Sequence, residues 1–159
     1  MPSVSTGRAV VDTNVLFYAE DVGAGAKHAR ATAVIEELGE ANELVVSTQI
    51  LQEFYATVTR KLRLAPERVY AQVERYAQFE VVIVRPELVL AAIDLHRLRS
   101  ISFWDALVVK AASVAGCRRV LSEDMQHGQV LDGVRIENPF LATRAHEPKR
   151  TYGRRTGRR

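Results

Sequence analysis

Four acidic residues stand where a carboxylate has no obvious local partner. Asp12 ends the apolar run Ala9-Val10-Val11, Glu53 lies at the edge of an apolar helical stripe, and Asp124 follows Val120-Leu121 closely. Asp105 interrupts the most apolar stretch of the chain, S-F-W-D-A-L-V-V-K-A-A-S-V-A-G at 102–116, which should lie in the middle of the molecule. Lys110 is five residues further on, about 140° around a helix, and cannot neutralise Asp105 locally. A carboxylate near a core takes up a proton, meets a cation from another segment, or binds a metal. Carboxylates within a few Å of one another repel, and a divalent cation relieves that repulsion. Oxygen-only ligands suit Mg²⁺ or Mn²⁺, and no His or Cys cluster competes for a softer metal. Each acid also has a purely structural use. Asp12 suits an Asx turn or helix N-cap, Ser102 and Asp105 a capping box, Glu53 a solvated helix face, and Asp124 a turn before Gly128.

The elements that must position these acids are short. Residues 8 to 11 read as a buried strand turning into a helix at Asp12-Thr13-Asn14, and Gly23-Ala24-Gly25 breaks that pattern. A helix is expected over 27–38, ended by Gly39, then a strand over 43–47. Leu51, Phe54, Tyr55, Val58 and Leu62 form the stripe of a helix over 48–62, with Thr57 and Arg60 one and two turns beyond Glu53 on nearly its face. Pro66 opens a helix over 67–79, residues 81–84 form a strand, and Pro86 starts a helix that closes near Arg97. The apolar helix over 103–115 stops at Gly116, and strands over 119–122 and 134–136 complete the pattern. This alternation predicts a three-layer α/β domain with a mostly parallel sheet. In such a sheet all strand ends of one polarity share an edge, so Asp12 and Asp124 can meet there, beside the helices that start from it.

Composition narrows the class. With 159 residues, 47% of them hydrophobic and 26% charged, the chain suits one globular core rather than a disordered or fibrous protein. No apolar run is long enough for a membrane span, no secretory-type N-terminus is read, and the expected compartment is the cytoplasm. The single Cys117 excludes an internal disulfide and a multi-thiolate zinc cage, and reads as a small core residue. The net charge of +3 is uneven. Residues 144–159 hold seven Lys or Arg against one acid, Glu147, so this tail carries +6 and the remainder −3. The expected organisation is therefore one globular domain over 1–143 and a disordered basic tail over 144–159, either solubilising or attracted to polyanions.

The segments V-V-D-T-N-V-L, I-L-Q-E-F, S-F-W-D-A-L and V-L-S-E-D-M-Q-H-G, followed by N-P-F, resemble a PIN domain of the VapC toxin type over roughly residues 9 to 140. The resemblance carries the family's acidic site onto Asp12, Glu53, Asp105 and Asp124, with Thr13, Asn14 and Ser122 where the family keeps small polar residues supporting them. One departure is visible. Many relatives place another Asp shortly after the fourth acid, where this chain has Gln126 and His127, which leaves open both a second metal and His127 as its ligand or as a loop residue.

The resemblance implies an α/β/α PIN-like fold and a Mg²⁺-dependent endoribonuclease. It further implies the toxin of a type II toxin–antitoxin pair, inhibited by an antitoxin protein and homodimeric. In that chemistry a carboxylate-held ion polarises the scissile phosphate and activates water, with one ion or with two. An acidic pocket repels RNA, so cations must lie outside it. Arg60, Lys61, Arg63 and the tail are candidates, although the first three also suit a helix C-terminus. Other readings are a PIN nuclease without a toxin role and a non-catalytic RNA-binding module. A haloacid-dehalogenase-like phosphohydrolase also begins with a strand ending in Asp, but that pattern wants a second Asp where Asn14 stands.

Overall fold

In the computed structural model of the chain, residues 7–141 are described, and the basic segment 144–159 lies outside them. The elements run β1 (Ala9–Val11), α1 (Thr13–Glu20), a 3₁₀ turn (Val22–Ala24), α2 (Ala26–Glu40), β2 (Leu44–Ser47), α3 (Thr48–Lys61), α4 (Pro66–Tyr76) and β3 (Glu80–Val82). They continue with α5 (Pro86–Leu98), α6 (Phe103–Val114), β4 (Arg119–Leu121), β5 (Val130–Leu131) and β6 (Val134–Glu137). The strands form one sheet in the order β3-β2-β1-β4-β6-β5, parallel throughout except for β5 against β6. Helix α6 lies across β1, β2, β4 and β6 with α5 packed outside it, whereas α1 packs on α2 and α3, and α3 on α4. The result is the expected three-layer α/β/α domain.

The central strands have no solvent face. Ala9, Val10, Val11 and Val46 are fully buried and Val45 nearly so, and continuous β-branched runs of this kind suit parallel strands covered on both sides. Each central strand then runs straight into a capped helix or a short polar loop at the same edge. Asp12 caps α1 by accepting from the Thr13 N–H at 2.8 Å, and Ser47 caps α3 by accepting from the Ile50 N–H at 3.2 Å. Pro66 and Pro86 occupy the first turns of α4 and α5, where a missing N–H costs nothing.

Several local expectations change. Helix α2 does not stop at Gly39 but runs to Glu40, and the left-handed turn falls on Asn42, with φ of 55°. Gly39 lies inside the helix facing the Phe79 ring, where a Cβ would sit at ordinary contact distance, 3.4 Å. Strand β3 ends at Val82, before the expected Val84, whose N–H goes to Thr48 Oγ1 at 3.1 Å instead of to a ladder. β5 was not expected; it is a two-residue strand joined to β6 through Asp132-Gly133, both at positive φ. Asp-Gly is itself a tight-hairpin signal, which is the clue that could have found it. Finally, α6 is central but not wholly buried. Its core face is Ala106, Leu107, Val108, Val109, Ala111 and Ala112, while Trp104 is 59% exposed, Val114 is also exposed, and Lys110 reaches Asp132 at 2.8 Å.

Candidate metal centre

The carboxyl edge of the sheet gathers residues from four parts of the chain. Asp12 leaves β1, Glu53 projects from the second turn of α3, Asp105 from the first turn of α6, and Asp124 from the loop after β4. All four line one cleft of about 430 Å³. Asp12 is buried, Glu53 and Asp105 are half-buried and Asp124 is exposed, so the acids descend from the rim to the floor.

Neutral donors hold these carboxylates. Asp12 accepts from the Thr13 N–H on one oxygen, and on the other from Ser122 Oγ at 2.8 Å and Asn14 Nδ2 at 3.3 Å. Glu53 accepts from Thr13 Oγ1 at 3.1 Å and from Gln49 Nε2 at 3.0 Å. The Asn14 amide is the hub. Its Nδ2 group lies 3.2 Å from both Ser122 Oγ and Asp124 Oδ2, and its Oδ1 accepts the Glu123 N–H at 3.0 Å. Ser102 caps α6 by accepting the Asp105 N–H at 3.0 Å, which fixes the backbone that carries that carboxylate. The capping reading of Asp12 therefore coexists with its place at the cleft, and the Ser102 cap with the place of Asp105 there.

None of the four acids forms an ion pair among the described residues, whereas nearby acids do: Glu123 is taken by Lys27, Asp132 by Lys110 and Glu137 by Arg119. The electrostatic consequence is clear. Burial pushes the Asp12 carboxyl up to about 6, against the Ser122 and Thr13 hydrogen bonds, and the charges of Asp105 and Glu53 push the same way. Burial also raises Asp105, opposed by its hydrogen bonding to Ser102 and assisted by Asp124 and Glu53.

The donor set fits a hard divalent ion, since it offers carboxylate and amide oxygens and neither thiol nor imidazole. Its spacing is open. Among the described residues no three acidic, imidazole or thiol groups are placed to hold an ion together.

Of the candidate cations among the described residues, only Lys61 lines the cleft; its ammonium lies 5.8 Å from the Phe17 ring centroid. Arg60 and Arg63 are exposed away from it. Gln49, Glu53, Thr57 and Lys61 follow one another at four-residue spacing, so the cleft follows that ridge of α3 rather than the seven-residue step to Arg60. Gln49 and Trp104 are cleft residues that the sequence reading did not single out; the four-residue step from Glu53 and the position beside Asp105 were the available signals. His127 lines a separate groove with Arg30 and Arg135, its Nδ1 accepting the Asn138 N–H at 3.0 Å. Gln126 lines a neighbouring hollow on the other side of Asp105 and Asp124.

Comparison with known proteins agrees with this architecture. The chain resembles Mycobacterium tuberculosis VapC20, described as a toxin that cleaves the sarcin–ricin loop, with a TM-score of 0.56 and 19% identity over 80% of this chain and 98% of that one. It also resembles a chain of VapBC2 from Rickettsia felis, solved on a fragment of promoter DNA (TM-score 0.60, 15% identity, 82% and 97% covered). A third likeness is to DNA-bound VapBC from Salmonella typhimurium (0.61, 17%, 84% and 98%). At these identities the likeness is one of fold. No curated protein sequence matches significantly. The family model of the PIN domain matches residues 9–130, from the first strand through the acid-bearing loop to β5, and the chain belongs to the PIN domain family.

Proposed function

We propose that the chain is a metal-dependent endoribonuclease, the toxin of a type II toxin–antitoxin pair, and that Asp12, Glu53, Asp105 and Asp124 hold its Mg²⁺ or Mn²⁺. The observation that carries this reading is the cleft whose four acids come from four segments and, among the described residues, accept only from neutral groups and have no basic partner. A domain that pairs its neighbouring acids with lysine and arginine but leaves these four unpaired keeps a place for a cation from solution. When bound, such an ion polarises the scissile phosphate and lowers the pKa of water.

The residues of the chain do the rest. Thr13, Asn14 and Ser122 keep the carboxylates oriented, and the Ser102 cap fixes the start of α6. Lys61 on the cleft wall offers a contact for an RNA phosphate, with Arg60, Arg63 and the basic segment 144–159 adding long-range attraction. The toxin assignment is supported by the shared fold with VapC20 and the VapBC assemblies, and it brings an antitoxin protein and a homodimer with it.

The test is cleavage of total cellular RNA by the full chain with Mg²⁺, with EDTA, and by Asp12→Asn, Glu53→Gln and Asp105→Asn, with products mapped end by end. Discrete ends are expected only from the wild type with metal. Intact RNA throughout, with binding retained, would instead indicate a non-catalytic RNA-binding module.

A further inference from the structure

The cleft carries an aromatic side chain that the acidic site does not use. Trp104 lines it beside Asp105 and stays 59% exposed, although the apolar side chains that follow it on α6, from Ala106 to Ala112, are buried. Its indole is braced edge-on by Phe103, with centroids 5.2 Å apart, and the Ser102 cap fixes the turn from which both project. An exposed indole on the lip of a polar cleft offers a flat π-face to a ligand that arrives from solution.

The charge of the cleft says what kind of contact is useful there. Among the described residues, Lys61 is the only cation lining it, against Asp12, Glu53, Asp105, Asp124 and the Lys27-paired Glu123. Phosphate contacts alone hold a polyanion poorly over such a surface. A nucleobase is neutral, and stacking it on an indole costs nothing in repulsion. We propose that Trp104 is a stacking platform for an unpaired nucleobase next to the scissile phosphate. The inference rests on the nuclease reading for its ligand, but its test has a readout independent of cleavage.

Trp104 is the single tryptophan of the chain, so its fluorescence reports this position alone. The full-length protein is titrated, with Ca²⁺ in place of Mg²⁺, with a single-stranded RNA hexamer, an abasic hexamer of equal phosphate count, and a short RNA duplex. Saturable quenching by the single strand is expected, with little from the other two. In Mg²⁺, Trp104→Ala is expected to raise KM for the single strand roughly 10- to 100-fold while kcat changes little, with Trp104→Phe restoring most of the loss. The thermal midpoint of Trp104→Ala should stay close to that of the wild type, because the side chain is mostly exposed. No quenching, or equal quenching by the abasic strand, overturns the proposal. So does an unchanged KM for Trp104→Ala beside an inactive Asp105→Asn, an outcome that leaves the nuclease reading standing. Base-dependent quenching without any cleavage in Mg²⁺ or Mn²⁺ keeps the platform and removes the nuclease.

Discussion

Replacing Asp12 by Asn should make the metal-free protein more stable at neutral pH, although it removes the most buried acid of the site. Burial lifts the Asp12 carboxyl from the ordinary 3.8 to about 6, so the folded chain favours its protonated form more than the unfolded chain does. The associated stability is fully present below pH 3.8 and is lost as the pH rises through 6. Above that the deficit is at most about 3 kcal/mol, taking about 1.4 kcal/mol per pH unit. An asparagine carries no such deficit. Its amide oxygen can keep the Thr13 N–H, now 2.8 Å from Asp12, but its NH₂ group must face Ser122 Oγ and the Asn14 amide. The Ser122 hydroxyl can rotate to accept, and the Asn14 amide loses one of its three acceptors, which costs about 1 kcal/mol. The net expectation in EDTA is a gain of about 1–2 kcal/mol at pH 7.5, and a loss of about 1 kcal/mol near pH 4. Urea unfolding of both proteins across that range measures the two signs and the crossover between them. A variant less stable at pH 7.5, or a difference that does not vary with pH, would refute the claim that this carboxylate is folded without a compensating cation.

Other outcomes follow from the same geometry. Saturating Mg²⁺ should stabilise the wild type by roughly 3 kcal/mol at 100 times its Kd, and Glu53→Gln and Asp105→Asn by clearly less, as read from melts with and without the ion; equal gains in all three would remove these acids from the site. Asn14→Ala unties Asp12, Asp124, Ser122 and the Glu123 N–H at once, and RNA cleavage should fall roughly 10- to 100-fold, with a loss of about 1–3 kcal/mol in metal-free stability because the Glu123 N–H loses its acceptor. Gly39→Ala should be neutral or stabilising by up to about 1 kcal/mol in thermal melts, because the added methyl meets Phe79 at ordinary contact distance inside a helix. Phe54→Ala should cost about 3–5 kcal/mol in urea unfolding, since the ring is fully buried and packs edge-on against Tyr76 with centroids 5.4 Å apart.

Much of the scaffold was legible because its signals are local. A β-branched run such as Val10-Val11 closing on Asp12, a proline opening a helix at Pro66 or Pro86, and a serine capping Phe103–Val114 each state an element within a few residues. Parallel order then followed from the alternation of strands and helices. What misled was also local. Gly39 has the look of a helix stop, but it keeps helical backbone and the left-handed turn falls on Asn42 instead. The apolar stretch at 102–116 was expected in the middle of the molecule, yet its first turn leaves Trp104 in solvent at the cleft.

By itself, the order of residues determined where carboxylates could be carried to one edge, since strand polarity and helix starts are properties of short segments and their succession. Only the tertiary structure decided what surrounds them. Asn14 bridges to a loop more than a hundred residues away, Lys61 rather than Arg60 reaches the cleft, and His127 lies on another surface. Those outcomes depend on how α1, α3 and the loop after β4 pack together, and a difference of one residue around a helix turns a side chain by about 100°. Hydrogen bonds and charge repulsion act across that packed space, so pairing and pKa are settled by distances that sequence spacing does not encode.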